Sequence, residues 1–333
     1  MRKDGESVRR FLSRKGLLGE FHPASDSDYV YFGTSRELTE RELEEFGAEV
    51  SDRELQKKEA LPQNLRELLE GELTPEELEK IPGSYDILGR VIVVMIPDEL
   101  VSKERVIAEA LIKVHKQVET VAKRAGEISG TFRIPDLEII AGPDNTETEY
   151  SEYGCRYQFD IRKAFFTPRL ATERERIADM VGKGETVLDM FTGVGPFAIL
   201  IAKKAGAKVY ALDINPEAIE FLKKNIKLNK LGDRITPLLG DAHKASELVP
   251  KVDRVVMNLA KTGFGFLPEA VKCVDAGVIN YHFFSMADGI EEKLKEVEET
   301  VQKAGKKFEQ LGFRKVRQVS PREWNCGVDF RVS

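Results

Sequence analysis

From about residue 170 to residue 285 the sequence alternates between segments with helical periodicity and short apolar segments typical of buried strands. The strand-like segments are TVLDMF, KVYALDI, ITPLLGDA, VDRVVMNL and GVINYHFF, and helix-like segments such as PEAIEFLKKNIKLNKL separate them. Strands that alternate with helices form a parallel sheet covered by helices, and such doubly wound α/β sheets bind ligands at the carboxyl ends of their strands. The alternation therefore predicts both the fold of this half of the chain and the edge where its site lies.

The glycine-containing turn after the first of these strands narrows the choice of ligand. In VLDMFTGVGPFAI, Gly193 and Gly195 are spaced as in dinucleotide-binding turns, and Ala198 fits the third position of that fingerprint. Pro196, however, lacks the N–H that a phosphate would need at the start of the following helix. Asp189 would also repel a pyrophosphate, whereas it can face the ammonium group of S-adenosylmethionine directly or through water. The turn therefore favours S-adenosylmethionine over NAD.

The next strands end in residues that suit other parts of this ligand. Asp213 ends the second strand, where a carboxylate can accept both hydroxyls of an adenosine ribose, although NAD would require an acid there too. Asp241 and Ala242 follow the third strand, where an adenine edge would lie, and Asn258 ends the fourth. An acid at a strand end is often only a helix cap, but four compatible strand ends in order favour one site. The expected cofactor contacts are Asp189, Phe191, Gly193, Gly195, Phe197, Asp213, Ile214, Asp241, Ala242 and Asn258.

The first 165 residues lack this alternation and predict smaller units. Residues 1–60 combine helix-like SVRRFLSRKGLL and strand-like DYVYFGT with TERELEEFG, whose Thr-x-x-Glu start can form a capping box. Residues 61–84 contain three prolines and two glycines and predict a linker. Residues 85–165 predict a middle α+β domain, and residues 166–333 the ligand-binding domain.

Two expectations concern the middle domain. DELVSKERVIAEALIKVHKQVETVAKRAG predicts one long helix over residues 98–126, with Asp98 or Ser102 as its N-cap. LEIIAG, ETEYSEYG and CRYQFDIRKAFF have the alternation of strands, and we expect them to belong to one antiparallel sheet.

Composition limits the classes of function. The 333 residues carry a formal net charge of −6, which excludes a globally basic nucleic-acid binder, so any RNA site must be a local patch. No apolar run reaches transmembrane length, and the opening segment has no signal-peptide core. Cys155, Cys273 and Cys326 show no metal-like spacing, and the four histidines are scattered. We therefore expect a cytoplasmic protein with no metal and no membrane partner.

Several segments together resemble one known family. LDMFTGVGPFAI, YALDINPEAIEFLKKNIKLNKL, MNLAK and FFTPRLATERERI are similar to the archaeal and eukaryotic tRNA guanine-37 N1-methyltransferases, and LPQNLRELLEGELTPEELEKIPGSYDILG resembles the start of that family's middle domain. The resemblance implies a Rossmann-like class I methyltransferase domain that follows two smaller N-terminal α/β domains. It also implies S-adenosylmethionine as cofactor and tRNA as partner, with the N-terminal domain on the outer corner of the tRNA and the catalytic domain at the anticodon loop. We expect a monomer.

The resemblance also implies the catalytic residues. N1 of guanine is a poor nucleophile until it loses its proton, so the enzyme needs a general base and a group that steadies O6 as charge develops. Glu173 is expected to be the base, Arg133 to hydrogen-bond O6, and Asn258 to hold the guanine edge. Helix spacing alone would simply pair Glu173 with Arg169 or Arg176, so its catalytic role rests on the resemblance.

One position departs from the family pattern. The family has Asn-Leu-Pro-Lys after the fourth strand, whereas this chain has Asn258-Leu259-Ala260-Lys261. Proline would stiffen the loop that presents Asn258, and three explanations of the alanine stay open: divergence tied to a different base, an engineered substitution, or a weakened enzyme. The expected substrate contacts are Phe165, Arg169, Arg174, Ala260, Lys261, Pro321 and Arg322.

Three functions stay open. The first is N1 methylation of guanosine-37 in tRNA, either alone or together with C7 methylation of 4-demethylwyosine at the same position, as in some archaeal members of the family. The second is transfer of the aminocarboxypropyl group of the same cofactor to a wyosine precursor. The third is binding of tRNA and cofactor with weakened turnover because of Ala260. The mass of the product on tRNA separates the first two, and single-turnover assays identify the third.

Overall fold

The computed structural model describes residues 5–19, 21, 23–26, 28–46, 48–55, 64–126 and 134–333. The chain divides into two compact units, Met1–Leu68 and Leu69–Ser333. The first unit contains α1 (Gly5–Arg14), the antiparallel pair β1 (Ala24–Ser25) and β2 (Val30–Tyr31), α2 (Glu40–Phe46) and the start of α3 (Leu65–Leu69). Its capping box is confirmed, because the Thr39 N–H donates to Glu42 Oε2 over 2.8 Å and the Glu42 N–H donates back to Thr39 Oγ1.

The second unit begins with α4 (Pro75–Glu79) and a four-stranded sheet. The sheet contains β3 (Tyr85–Leu88), β4 (Val91–Val94), β5 (Thr120–Arg124) and β6 (Leu137–Ala141) in that order, with α5 (Glu104–Val114) between β4 and β5. β4 and β5 are parallel, and the other two pairings are antiparallel.

The prediction of one long helix over residues 98–126 is wrong. Residues Asp98–Lys103 form a 3-10 turn and α5 ends at Val114, and neither helix has a side-chain N-cap. The last residues of the predicted helix form β5 instead. Val118, Val121 and Ala122 have spacing that suits a buried helix face as well as a strand, and pairing with β4 decides between the two.

The large sheet of the second unit confirms the alternation. The hairpin of β7 (Glu147–Glu152) and β8 (Cys155–Asp160) comes before this sheet in the chain. The strands of the sheet and the helices between them are, in chain order, α6 (Ala171–Met180), β9 (Thr186–Asp189), α7 (Pro196–Ala205), β10 (Lys208–Asp213), α8 (Pro216–Leu228), β11 (Ile235–Leu239), α9 (Ala245–Leu248), β12 (Arg254–Met257), α10 (Leu267–Cys273), β13 (Gly277–Met286), α11 (Ile290–Lys303), β14 (Phe308–Gln318) and β15 (Glu323–Val332). The strand order is β11-β10-β9-β12-β13-β15-β14.

Strand directions and core packing explain where the sheet presents its site. β9 to β13 are parallel, and β15 runs antiparallel to both of its neighbours. Val187 packs in one core with residues of α6, α7 and α8, whereas its neighbour Leu188 packs in a second core with residues of α9, α10 and α11. Helices therefore cover both faces, and the carboxyl ends of β9, β10 and β12 meet at one edge. The long β14–β15 hairpin was not predicted.

The hairpin of β7 and β8 is separate from the four-stranded sheet, so the prediction of one antiparallel sheet is wrong. Asn225 of α8 and Asn229, which directly follows α8, fix β8 to the domain of the large sheet. Asn225 accepts from the Gln158 N–H over 2.7 Å and donates to the Gln158 carbonyl, and Asn229 pairs in the same way with the backbone of Arg156. These side-chain amides form hydrogen bonds with backbone N–H and carbonyl groups at the free edge of β8, which would otherwise need a further strand as partner.

Candidate active site

The turn between β9 and α7 depends on two glycines. Gly193 has φ +54° and Gly195 has φ +93°, both in the left-handed region. A Cβ on Gly195 would lie 2.4 Å from Leu222 Cδ1, so α8 can pack against the turn only because this residue lacks a side chain. Pro196 is the first residue of α7, as expected for a residue without an N–H.

Asp189 lies beneath this turn and is completely buried. Its Oδ2 accepts from the Ala198 N–H over 3.2 Å, but its Oδ1 has no hydrogen-bond partner among the described residues. Burial raises the pKa of Asp189 to about 7, with the negative charge of Asp213 adding to the shift and the Thr192 hydroxyl and the backbone of Ala198 and Phe191 opposing it. A buried carboxylate with an unused oxygen is suited to a cationic ligand, which would supply the missing partner and stabilise the ionised form.

Asp213 sits beside the turn at the end of β10. Its Oδ2 accepts from the Gly193 N–H over 2.7 Å, and its Oδ1 accepts from the Asn215 N–H over 2.9 Å. Burial raises the pKa of Asp213. Each oxygen keeps a lone pair, so the carboxylate can still accept the two hydroxyls of a ribose. The next residue, Ile214, is 43% exposed, which leaves an apolar surface beside this carboxylate for a flat ring.

The remaining expected cofactor residues differ in accessibility. Asp241 is exposed and caps the turn that contains buried Ala242, with its Oδ1 2.9 Å from the His243 N–H. Phe191 is half-buried and packs edge-to-face on Phe266, with ring centroids 5.1 Å apart. Phe197 is only 2% exposed and belongs to the core, so its side chain supports the turn from below.

Glu173, the expected general base, is 4% exposed and lies within an ion-pair network. Arg176 donates to both of its oxygens over 2.8–2.9 Å, and Arg314 of β14 donates to both over 2.8–3.2 Å. The His282 ring nitrogen Nε2 is 2.9 Å from Glu173 Oε1. Burial alone would raise the pKa of Glu173, but the contacts with His282, Arg176 and Arg314 outweigh it and hold this pKa well below its usual range.

The same two arginines also bind Asp329 of β15, which is 2% exposed. Arg176 and Arg314 approach its carboxylate within 2.9 and 2.8 Å, and Asn280 donates to it over 2.6 Å. The pairing of Glu173 with Arg176 was expected from helix spacing, but sequence reasoning missed Arg314, Asp329 and His282. One sequence feature could have indicated these buried polar groups: polar residues at alternate positions of an otherwise apolar strand, as with Asn280 and His282 in INYHFF.

The side chain of Arg174 lies in the protein interior rather than at the surface. It is 1% exposed, forms a bidentate ion pair with Glu152 at 2.5 and 2.7 Å, and donates to the Thr167 carbonyl. In this arrangement Arg174 ties α6 to the β7–β8 hairpin, and its buried guanidinium is not placed to contact a phosphate. This is a correction to its expected role as a substrate contact.

The other expected substrate residues are more accessible. Phe165 is half-buried and lines a cavity, while Arg169 is exposed and bound to Asp86 over 2.6 Å. Pro321 and Arg322 are exposed in the turn between β14 and β15. Arg133 lies outside the described residues, so the structure does not place it.

The segment that carries Asn258 forms a short turn after β12. Asn258 and Ala260 are half-buried, and Lys261 is exposed. The Ala260 carbonyl accepts from the Phe284 N–H over 3.1 Å, and the Gly263 N–H donates to the Leu259 carbonyl over 2.7 Å. These bonds hold the turn between the edge that carries Asp189 and the strand that carries His282, because β12 lies between β9 and β13.

Comparison with known proteins identifies the family to which this chain belongs. The chain is 40% identical, over 99% of its length and 97% of the relative, to the tRNA (guanine(37)-N(1))-methyltransferase Trm5b of Pyrococcus abyssi. It belongs to the TRM5/TYW2 methyltransferase family. Residues 148–310 match the TRM5/TYW2 methyltransferase domain, and residues 65–146 match the TYW2 N-terminal domain.

Two solved structures and one further relative extend the comparison within the TRM5/TYW2 family. The complex of aTrm5 and tRNALeu is 36% identical, with a TM-score of 0.78 over 99% of this chain and 98% of the other. Methanocaldococcus jannaschii Trm5 in complex with adenosine is 35% identical, with a TM-score of 0.67 over 99% and 96%. The tRNA(Phe) (4-demethylwyosine(37)-C(7)) aminocarboxypropyltransferase of Pyrococcus horikoshii is 34% identical over 80% of this chain and 96% of its own. The expected family and the Rossmann-like methyltransferase fold are confirmed.

The described residues contain neither a membrane-spanning helix nor a metal-binding cluster. None of their helices combines the length and apolar character needed to cross a membrane. No group of three or more histidines, cysteines, aspartates and glutamates in the same part of the chain is arranged to hold a metal ion. Cys155, Cys273 and Cys326 are buried free thiols.

Proposed function

We propose that this chain transfers the methyl group of S-adenosylmethionine to N1 of guanosine-37 in tRNA. The observation that carries the proposal is the match with the Pyrococcus abyssi Trm5b enzyme, which spans nearly the whole of both chains. The arrangement of carboxylates at the sheet edge supports it, because each suits a different part of the cofactor.

The cofactor fits the residues at this edge. S-adenosylmethionine, when bound, supplies an electrophilic methyl group. Asp189 has a buried oxygen without a partner among the described residues and would face the ammonium group, while Asp213 would accept the ribose hydroxyls. Ile214, exposed beside Asp213, would support the adenine, and Asp241 and Ala242 would border its edge.

Glu173 would accept the N1 proton of the guanine. Its lowered pKa keeps the carboxylate ionised at neutral pH, which a proton acceptor requires, although the arginines also make it a weak base. The N1–H bond would break toward Glu173 as N1 bonds to the methyl carbon, and its electron pair would stay on the ring to form the new N1–carbon bond. The methyl–sulfur bond would break at the same time, and its electron pair would leave with the sulfur as a neutral thioether. Asn258 would hold the guanine edge, and Arg133 would hydrogen-bond O6.

The substrate is proposed to be whole tRNA. A relative that is similar over 99% of this chain was solved with tRNALeu, which supports binding of tRNA by the same set of domains. We propose that residues 1–60 dock on the outer corner of the tRNA and that residues 166–333 act at its anticodon loop, with residues 61–84 as linker and residues 85–165 as middle domain. We further propose that the protein acts as a monomer in the cytoplasm.

The aminocarboxypropyl transfer reaction is the second candidate, because the TYW2 N-terminal domain matches residues 65–146. One assay tests both activities. The chain is incubated with S-adenosylmethionine and tRNA that carries either guanosine or 4-demethylwyosine at position 37, and the digested nucleosides are identified by mass. We expect 1-methylguanosine from the first tRNA. An aminocarboxypropyl product from the second tRNA, with none from the first, would overturn the proposal. A C7-methylated product alongside 1-methylguanosine would show the bifunctional activity.

A further inference from the structure

The carboxylate of Glu173 is surrounded by more donors than it has free acceptor sites. Arg176 and Arg314 each donate to it from two nitrogens, and the ring nitrogen Nε2 of His282 is a fifth neighbour. A carboxylate offers about four lone-pair sites. Glu173 can therefore accept a proton from a guanine only after one of these partners has moved away from it.

The two arginines have a second acceptor and are the partners that can move. Arg176 donates to both oxygens of Asp329 over 2.9 and 3.2 Å, and Arg314 does so over 2.8 and 3.1 Å. Their side chains are 28% and 23% exposed, whereas that of Glu173 is 4% exposed. Arg314 also lies on the edge strand β14, whose register with β15 shifts on both sides of it. An arginine that retracts from Glu173 keeps its ion pair with Asp329.

His282 differs from the arginines because the described residues give it no second partner. It is 0% exposed, its Nε2 is 2.9 Å from Glu173 Oε1, and its Nδ1 is buried with no hydrogen bond among those residues. An ionised carboxylate needs a donor, and a buried N–H without an acceptor is costly, so we assign the ring hydrogen to Nε2. In this tautomer His282 donates to Glu173 and has no lone pair at Nε2 to take a proton from it.

The position of His282 in the sheet relates it to the substrate. The parallel register of β12 and β13 ends one residue before Asn258 and His282, so these two residues leave the paired region together. On the other side, His282 is opposite Gly327 of β15, which is in turn opposite Arg314 of β14. A Cβ on Gly327 would lie 3.0 Å from Arg314 Nη2, so the glycine leaves room for the guanidinium in the same row.

We propose that His282 is a positioning residue for the transfer of the guanine N1 proton. When the guanine displaces an arginine from Glu173, the Nε2–H of His282 keeps Oε1 in place and Oε2 is left to accept the proton. The inference rests on the proposed function, in which Glu173 is the proton acceptor. An acceptor that is held in the productive orientation lowers the barrier to reaction. His282 therefore acts on the rate of methyl transfer and not on the binding of tRNA or cofactor.

The test compares His282→Gln with His282→Asn in the full-length chain. The amide nitrogen of glutamine is as many bonds from Cβ as Nε2 of histidine, whereas that of asparagine corresponds to Nδ1 and falls short of Glu173. Both variants place an amide in the same buried site, but only glutamine keeps the donor. We expect His282→Gln to keep the single-turnover rate on guanosine-37 within about threefold of the wild type and His282→Asn to lower it about tenfold. The affinities for tRNA and S-adenosylmethionine should be unchanged in both.

The comparison separates positioning from the other roles that a buried histidine can have. A glutamine variant as slow as the asparagine variant would overturn the inference, because an amide can donate a hydrogen bond but does not carry a proton as imidazole can. An unchanged rate in His282→Asn, with weakened binding of tRNA or cofactor, would also overturn it. Thermal melting verifies that the variants are folded. His282→Phe, which keeps a ring without the donor, takes the place of His282→Asn if asparagine prevents folding.

A double-mutant cycle tests whether His282 acts through Glu173. In the Glu173→Gln background, His282→Asn should lower the remaining rate less than about twofold. A further tenfold loss in the double variant would overturn the inference. A wild type that forms no 1-methylguanosine contradicts the proposed function itself, whereas the contrary outcomes above, obtained with an active wild type, contradict the inference alone.

Discussion

Asp189 and Glu173 are buried carboxylates of the same domain, yet their ionisation is shifted in opposite directions. Asp189 is 0% exposed, has an oxygen without a partner in the part of the chain that the structure describes, and has its pKa raised to about 7 by burial. Glu173 is 4% exposed, but Arg176, Arg314 and His282 surround it and lower its pKa. Burial alone therefore does not decide the charge of a carboxyl group. The protein supplies the countercharge for Glu173, whereas the ligand has to supply it for Asp189.

This difference suits the two proposed roles, in which Asp189 binds a cation and Glu173 accepts a proton. A carboxyl group that is half-protonated near neutral pH gains strongly from a bound ammonium. A carboxylate with two guanidinium partners stays ionised and fixed in orientation, and its partners limit its basicity. The following experiments separate these two roles.

The largest expected effect comes from Glu173→Gln. This variant removes the proposed proton acceptor but keeps the size of the side chain, so we expect the single-turnover rate of methyl transfer to guanosine-37 to fall at least about 100-fold. Cofactor affinity should stay nearly unchanged, because the residue acts on the barrier to reaction.

Asp329→Asn is the matched control for Glu173→Gln. Asp329 binds the same two arginines and is equally buried, so its loss disturbs the network to a similar extent. We expect similar losses of thermal stability in both variants but a much smaller loss of rate in Asp329→Asn. Equal losses of rate would mean that Glu173 only shapes the site.

The next effect is the pH dependence of stability that Asp189 causes. In the unfolded chain this group loses its proton above about pH 4, but in the folded chain it keeps the proton up to about pH 7. The folded state then binds more protons, so its stability falls as pH rises. We expect the free energy of unfolding to fall by about 2.6 kcal/mol between pH 5 and pH 8 from this group. Urea titrations of Asp189→Asn should lack this part of the fall.

Glu173 contributes with the opposite sign. Its folded-state pKa is lowered, so the stabilisation is present above the pKa of the unfolded chain and is lost as pH falls into the acid range. Acid titration of Glu173→Gln should therefore show a smaller loss of stability than the wild type. An identical acid limb in the two proteins would contradict the ion-pair network as its source.

Asp189→Asn should also weaken cofactor binding, by about tenfold at pH 8, through loss of one charge-assisted contact. Adenosine has no ammonium group, so its affinity should be the same for both proteins. Calorimetric titration with the two ligands measures the difference. Parallel weakening of adenosine binding would show that the substitution has disturbed the glycine turn instead.

The smallest expected effect is that of Ala260→Pro. The turn that presents Asn258 lies between the two carboxylate regions, and the Ala260 N–H donates no hydrogen bond among the described residues, so proline removes none there. Reduced backbone freedom should raise the single-turnover rate on guanosine-37 about threefold with little change in tRNA affinity. An unchanged rate on guanosine, with strong methylation of 4-demethylwyosine by the alanine form, would make Ala260 a specificity feature.

The features that could be predicted from the sequence are those that follow from the local alternation of strands and helices. Parallel strands place Asp189, Asp213 and Asn258 at one edge whatever the details of packing, so their strand-end positions were enough. The network around Glu173 could not be found in this way, because His282 and Arg314 come from 109 and 141 residues further along the chain. Their approach depends on the antiparallel strand β15 beside β13, which the alternating pattern does not contain.

The burial of individual charged side chains also could not be predicted from the sequence. Arg174 follows Glu173 directly and was expected to reach the substrate, but the one-residue step around the helix directs it to Glu152 in the interior. Arg314 and Arg317 lie three residues apart on β14, but the structure directs Arg314 to Glu173, whereas the charges of Arg169 and Arg124 act on Arg317. Neighbouring residues of like charge can thus have unrelated roles.

Proton release on cofactor binding tests the contrast between the two carboxylates most directly. Calorimetry at pH 6 in two buffers of different ionisation enthalpy counts the protons released when S-adenosylmethionine binds. With a pKa of about 7, Asp189 is mostly protonated at pH 6, so an ammonium that ionises it should release about 0.9 proton from the wild type. Adenosine should release almost none, and neither ligand should release a proton from Asp189→Asn. Equal release with both ligands, or from both proteins, would contradict the account.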